Sequence, residues 1–600
     1  MENNYAYSAS IELVGDLAPS EGEGSVVALK NGLPSPPVLS NSAKLKRLIA
    51  KLPQGSYQTR KDRLAICLRL LRQGSQCDTH FGDFFSNLAL IDRYYWISTL
   101  YTLLLSGKRR RNLSAYFTPP PISRHLINVM ESYGLRIGCD RILDPASGGS
   151  AFLLPLAIRQ QQISEASLDR QISALDLVEK NLFGIELDPG LSTLSQAMFS
   201  DLFRSSVEAR GRDLSPIVIR GSSLKSLDPT TTFDAVLCNP PYGRIFRPSP
   251  KLIERWDAVV QKGYVNTYAI FIKLAIDSAR DGALIGVVVP TSFISGPSFG
   301  KLREYILLHT QILQLDVIEQ RQDLFVDVIQ DTCVLVLRKS RDQLSAHSRQ
   351  SSLVRHDGSV EPMGSLETPN EGRGLWVLPS RLESRDMDIL EPNSSYFNPK
   401  FKTLADYGFV VKSGYFVWNR NRERLADRVT PKNGEVPLLW AHNVKHGCEV
   451  NLITETNPSD SFSKTISCVA ISQDSTAIIR SSSLILQRTT NNKQQRRLIV
   501  GYVPADLVKK YGGYITENHT IVILRDPKTE QRTTDALLLK LLSSKKVDEL
   551  YRQISGTVSI SVKVLRALPL PAPEYLEEAL AVHEDVELAI RMAYEWTQTR

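Results

Sequence analysis

The chain has 600 residues, 42% of them hydrophobic and 23% charged, with 34 Gly and 32 Pro. That length excludes a single small module, and the composition excludes a collagenous or wholly disordered chain. Seventy-two Lys and Arg against 64 Asp and Glu leave a net charge of +8, which permits a polyanionic partner without requiring one. Seven Cys without a Cys-x-x-Cys pair predict reduced thiols and a cytoplasmic location. The opening residues lack a basic segment followed by an apolar one, and the apolar stretch from Tyr94 to Leu105 is too short to span a bilayer. No membrane partner is expected.

Residues 1–42, rich in Ser, Gly, Pro and acidic residues without apolar periodicity, are expected to be a flexible tail. From 43 to 112, segments such as DRLAICLRLLR and LALIDRYYWISTLYTLLL space apolar residues three and four apart, which predicts a helical region. It ends in Lys108, Arg109, Arg110 and Arg111, readable equally as solvated helix-end charge or as a phosphate contact. From 113 to 340, short apolar runs (RILDPAS, LFGIEL, PIVIRG, DAVLCNPP, ALIGVVVP, QILQLDVI, CVLVLR) alternate with helical patterns. This predicts an α/β fold, doubly wound around a mostly parallel sheet covered on both faces. The last two runs lie too close for a helical crossover, so at least one is expected to be antiparallel. Polar residues from 341 to 385 predict a linker, and a mixed α/β domain is expected from 386 to 600.

In open α/β sheets a ligand sits beyond the carboxyl ends of the strands. The first informative strand end runs from Ile142 through Asp144, Pro145 and Ala146 to Gly148, Gly149 and Ser150. Its small residues let backbone approach a ligand, and Asp144 supplies a negative charge. The second ends in Glu186, suited to accept two ribose hydroxyls, although taken alone a solvated loop carboxylate is the stronger reading. A third, Ala235 to Cys238, delivers Asn239, Pro240, Pro241 and Tyr242 to the same edge. The paired prolines keep the chain out of a helix at Asn239 and hold its amide at the strand end, while Tyr242 offers a ring to a flat substrate.

These three strand ends, with Ala115–Pro120 just before the first, resemble the S-adenosylmethionine-dependent amino methyltransferases. Within them the motif order is that of the gamma class of adenine-N6 DNA methyltransferases. The resemblance implies a Rossmann-like methyltransferase sheet, S-adenosyl-L-methionine as cofactor and double-stranded DNA as partner. It further implies a target adenine flipped out of the duplex, and a monomer that protects DNA from a separately encoded restriction endonuclease. Carried over residue by residue, it makes Phe117, Thr118, Asp144, Ala146, Gly148 and Glu186 cofactor contacts, and Asn239, Pro240 and Tyr242 the catalytic turn. The Asn239 side-chain oxygen and the Pro240 carbonyl would accept the N–H groups of the target amine, with Tyr242 on one face of the base and Phe325 on the other. An ordinary core aromatic is the alternative for Phe325.

Two positions depart from the family. Ser150 stands where Gly is common, and Ser222 or Ser223 stands where an acid usually meets the cofactor adenine; Ser222 is assigned that contact. Toward the carboxyl end, Arg488, Lys493, Arg496 and Arg497 lie among Gln, Thr and Asn and are expected to contact DNA, with a solvated polar loop as the alternative. The segment from Gly414 to Arg422 mixes aromatic and basic residues and reads as either a DNA contact or core. His442, His446 and Cys448 lack a fourth ligand, and no metal is expected. Two further readings of the turn stay open: methylation of another planar amine (cytosine N4, an RNA base or a protein glutamine), and a DNA-binding relative without turnover.

Overall fold

The computed structural model describes residues 38–53, 55–73, 80–106, 110, 117–166, 173–228, 230–261, 263–319, 331–340, 349–355, 357–368, 374–379, 399–426, 431, 434–452, 467–489, 495–530, 532–555 and 559–600. Eleven strands fall between residues 142 and 365: β1 (Ile142–Asp144), β2 (Leu182–Glu186), β3 (Val218–Arg220), β4 (Phe233–Cys238), β5 (Arg244–Ile245), β6 (Val265–Asn266), β7 (Ala279–Pro290), β8 (Thr310–Ile318), β9 (Thr332–Lys339), β10 (Gln350–Val354) and β11 (Val360–Ser365). Nine of them form one sheet in the order β11-β10-β8-β9-β7-β4-β1-β2-β3. β3, β2, β1, β4 and β7 run parallel, and β9 lies antiparallel between β7 and β8. The short gap between the last two runs therefore gives one antiparallel strand, β9.

The central strands read as unbroken apolar runs because both faces are covered. Ile142, Ala235, Leu237, Val288 and Val336 pack on one side with the helices Arg60–Gln73, Leu90–Leu103, Leu153–Ala166 and Pro189–Leu202. Leu143, Val236, Ile285 and Leu335 pack on the other with the helices Thr267–Ser278 and Gly300–His309. Sequence fixes several helix starts directly. Ser173 and Asp188 accept backbone N–H groups of the first turn, and Pro189 follows Asp188 at a position where its missing N–H costs nothing. A helix already begins at Val38, so residues 38–42 are not tail; residues 1–37 lie outside the described residues.

The polar stretch 341–385 is not simply a linker. β10 pairs parallel with β8 and antiparallel with β11, widening the sheet at its edge. Polar residues hid them: β10 buries Ser351 beside Leu353 and Val354, and β11, at the edge, needs no continuous apolar run. Further on, residues 375–378 alternate strictly. Leu375 and Val377 enter the carboxyl-terminal core, whereas Trp376 and Leu378 enter the core of the large sheet. The Leu378 amide donates to the Gln553 carbonyl at 3.1 Å. Arg303, fully buried, fixes this strap by donating to the carbonyls of Gly374 at 2.6 Å, Phe293 at 2.7 Å and Gly296 at 3.0 Å.

Beyond the strap come β12 (Phe409–Ser413), β13 (Leu425–Ala426), β14 (Glu435–Leu439), β15 (Cys468–Ala470), β16 (Ser483–Gln487), β17 (Val500–Val503), β18 (Ile515–Thr516) and β19 (Thr520–Arg525). They build two four-stranded sheets, β12-β19-β16-β17 and β13-β15-β14-β18. The first is backed by the closing helices from Asp535 to Thr599, giving the expected mixed α/β pattern its own core.

Candidate active site

The carboxyl ends of β1, β2 and β4 lie side by side. Ile142 and Leu143 of β1 are level with Ala235 and Val236 of β4, and Asp144 is level with Gly184 of β2. Neighbouring strands lie about 4.8 Å apart, so Asp144, Glu186 and Asn239 share one edge of the sheet. Asp144 and Glu186 are both buried, and no cation answers either in the described residues. Burial pushes the Asp144 carboxyl up to about 8, against the Ala146 N–H that it accepts at 3.1 Å and helped by the neighbouring Glu186. Burial likewise pushes the Glu186 carboxyl up to about 7, against the N–H groups of Asp188 at 2.6 Å and Gly148 at 2.8 Å. Two acids without a basic partner make this edge receptive to a cationic ligand with hydroxyl donors.

The glycine turn is held closely. A Cβ on Gly148, whose φ is +52°, would lie 2.8 Å from the Phe117 ring, and one on Gly149 would lie 2.4 Å from Ser98. Ser150 also takes a left-handed φ of +57°, although it carries a side chain. Its hydroxyl is buried without a hydrogen-bond partner. The departure from Gly at this position is therefore a strained one.

Asn239 sits at the end of β4, half-buried, in a network of three side chains. Its Nδ2 donates to the Thr118 hydroxyl at 3.0 Å, and its Oδ1 accepts from the Tyr242 hydroxyl at 2.7 Å. The Tyr242 hydroxyl also lies 3.0 Å from the Val288 carbonyl oxygen, anchoring it to β7. The Tyr242 ring packs edge-on against Tyr268, which stacks on Phe299. The amide lies with its nitrogen toward Thr118 and its oxygen toward Tyr242. Pro240 is buried behind the turn.

Helix Leu90–Leu103 braces the same edge. The Tyr101 hydroxyl donates to Asp188 Oδ1 at 2.9 Å, the oxygen that also caps helix Pro189–Leu202, and the Tyr94 hydroxyl donates to Asp201 Oδ2 at 3.0 Å. Asp188 and Tyr101 were missed by the motif reading. The Asp-Pro helix start was the available signal for the first, while the tyrosine contact spans 87 residues.

The structure thus brings together Phe117, Thr118, Asp144, Ala146, Gly148, Glu186, Asn239, Pro240 and Tyr242 around one strand edge. At the fourth strand end the buried Ser223 hydroxyl bonds the Pro145 carbonyl, leaving Ser222 half-buried beside it. Phe325 and Lys493 lie outside the described residues. The three remaining basic candidates are engaged within the protein. Arg488 donates to the Asn518 carbonyl at 3.2 Å, and Arg496 to the Ser543 carbonyl at 2.5 Å. Arg497 is partly buried, which lowers its pKa. Between Gly414 and Arg422, Phe416 is core, Trp418 is half-buried under the Arg422 guanidinium, and Tyr415 is 60% exposed, so that segment divides between the two readings.

Residues 96–361 match the N-6 DNA Methylase family. The match begins inside helix Leu90–Leu103 and runs into β11, so Tyr101 and β10 fall within the matched region, while Tyr94 precedes it. The chain is similar to the type II methyltransferase M.PstI of Providencia stuartii, 23% identical over 490 residues that cover 78% of this chain and 89% of that protein. It is also similar to the type II methyltransferase M.BsuBI of Bacillus subtilis, 26% identical over 357 residues, 56% of this chain and 64% of that one. Among solved structures, the type IIL restriction-modification enzyme MmeI in complex with DNA aligns over 93% of this chain and 95% of its own, at 12% identity and a TM-score of 0.49. No helix among the described residues is long and apolar enough to cross a membrane.

Proposed function

We propose that the protein is a site-specific DNA methyltransferase that transfers a methyl group from S-adenosyl-L-methionine to the N6 amine of an adenine in double-stranded DNA, as the cytoplasmic modification enzyme of a restriction-modification system. The observation that carries this reading is Asn239, presented at the strand edge with its amide oriented by Thr118 and Tyr242, beside two buried acids and within the methylase domain. Bound there, the cofactor supplies an electrophilic methyl on a positively charged sulfur.

The residues of the chain fit that cofactor. The raised pKa values of Asp144 and Glu186 mark charge awaiting a cation and hydroxyl donors, and the Gly148–Phe117 contact leaves a cradle that a Cβ would fill. Asp144 meets the positive charge, Glu186 takes the ribose hydroxyls, and Ser222 lies at the adjoining strand end. At the target base, the exocyclic amine is a poor nucleophile because its lone pair is delocalised into the ring. Asn239 Oδ1 and the Pro240 carbonyl accept its two N–H groups and favour a pyramidal nitrogen whose lone pair faces the donor. Positioning of this kind suits a direct in-line transfer without a covalent enzyme intermediate. The amine's extra proton is released to solvent after transfer. Tyr242 supports the acceptor, since its hydroxyl reaches both Asn239 and β7.

Incubating the protein with unmethylated duplex DNA and methyl-labelled cofactor, then digesting to nucleosides, tests the proposal. Label in N6-methyladenine supports it; label in N4-methylcytosine, or none in DNA, counts against it. The proposal includes action as a monomer on DNA whose endonuclease is separately encoded.

A further inference from the structure

Immediately after the Asn239–Tyr242 turn the chain forms a small two-stranded ribbon, with β6 buried and β5 part-exposed, that the site chemistry leaves unused. Gly243 is pinned by Thr267, whose N–H and hydroxyl both donate to the Gly243 carbonyl, at 2.9 Å and 2.8 Å. Arg244 and Ile245 of β5 then pair with Asn266 and Val265 of β6. This fixed base presents Phe246, which is 77% exposed, the most of any large hydrophobic side chain among the described residues. The Arg244 guanidinium lies over both the Phe246 and Tyr264 rings, 5.4 Å and 4.8 Å from their centroids, and donates to the Gly263 carbonyl. The next residue, Arg247, holds a left-handed φ of +50°.

The charge is as uneven as the exposure. Residues 244–255 carry Arg244, Arg247, Lys251 and Arg255 against Glu254 alone, and all five are exposed. Twelve residues therefore supply +3, where the whole chain of 600 supplies +8. An exposed aromatic on a rigid ribbon, ringed by cations, matches a surface that stacks on bases while contacting phosphates. Four residues span at most about 14 Å, so Phe246 lies within about four base-pair steps of whatever Tyr242 addresses.

We propose that this ribbon is a second DNA contact, built into the methylase domain itself, in which Phe246 enters the duplex stack beside the vacated target position while Arg247 and Lys251 hold flanking phosphates. Side chains that wedge between base steps unstack them and stabilise a distorted duplex. The contact is indifferent to sequence, because every base offers a face to an aromatic ring. It rests on the reading that duplex DNA is the substrate.

The test uses the full chain with a duplex containing a site that it methylates, carrying 2-aminopurine at the target position. Phe246→Ala is expected to lower kcat/KM for DNA about tenfold and to weaken the fluorescence rise of the extruded base, while Phe246→Trp retains both. Arg247→Gln with Lys251→Gln should flatten the salt dependence of DNA binding by roughly one to two units of log–log slope. Cofactor affinity stays at the wild-type value in every variant and serves as the folding control. Wild-type DNA binding and flipping by Phe246→Ala would overturn the inference while leaving the proposed function intact. A wild-type protein that binds cofactor but no duplex would overturn both.

Discussion

Replacing Glu186 by Gln probes the cofactor end of the site through its pH dependence. In the unliganded protein, burial holds the Glu186 carboxyl at about 7 and the Asp144 carboxyl at about 8. Both values lie above those of an unfolded chain, so folding favours the neutral acids. That contribution to stability is full below about pH 4 and is lost as pH rises through 7 and 8. A ligand that needs the carboxylates reverses the preference and binds more tightly at higher pH. For Glu186 alone the ionised fraction rises from about one in eleven at pH 6 to about ten in eleven at pH 8, a tenfold gain in affinity, and Asp144 adds to it. Calorimetric binding of S-adenosyl-L-methionine at pH 6, 7 and 8 reads this directly. Glu186→Gln should shrink the wild-type ratio between pH 8 and pH 6 by about tenfold. It should also weaken binding at pH 8 by about 1–2 kcal/mol, because an amide faces the Gly148 and Asp188 N–H groups with only one acceptor. A wild-type affinity that is flat from pH 6 to pH 8 would refute the reasoning.

Thr118→Val removes the acceptor that orients Asn239 and should lower kcat about tenfold, with Thr118→Ser close to wild type and the cofactor Kd within about twofold; a change confined to cofactor affinity would show that Thr118 acts on the cofactor instead. Ser150→Gly relieves a left-handed residue and an unpaired buried hydroxyl, and should stabilise the protein by about 1–2 kcal/mol despite the flexibility glycine adds to the unfolded chain. A lower midpoint in urea unfolding would contradict that account. Arg303→Ala removes the donor to the carbonyls of Gly374 on the strap and of Phe293 and Gly296 beneath it, of which Gly296 still accepts the Phe299 N–H, and should destabilise by about 3 kcal/mol, seen as a drop in Tm together with protease sensitivity after residue 374.

The central sheet was legible because strands buried on both faces leave uninterrupted apolar runs, and the turn at Asn239 because two prolines punctuate it. β10 escaped notice for the opposite reason: QSSLV, although paired on both sides, carries the polarity of a connector. The orientation of Asn239 was not readable either, since its partner Thr118 lies 121 residues away. Arg496 and Arg497 were read from their charge and their polar neighbours in sequence. Charge does not say which way a guanidinium points, and the carbonyl of Ser543 and the buried setting of Arg497 turn these two toward the protein. Phe246 stood within four residues of the motif, but only its exposure distinguishes it from a core aromatic.

The central claim is that an amide at the tip of β4 activates an adenine amine. Single-turnover methyl transfer by Asn239→Ala, measured with DNA and cofactor both saturating, tests it most directly. The account predicts a fall of several orders of magnitude in the chemical step with DNA and cofactor affinities close to wild type. Unaltered transfer to adenine would contradict it.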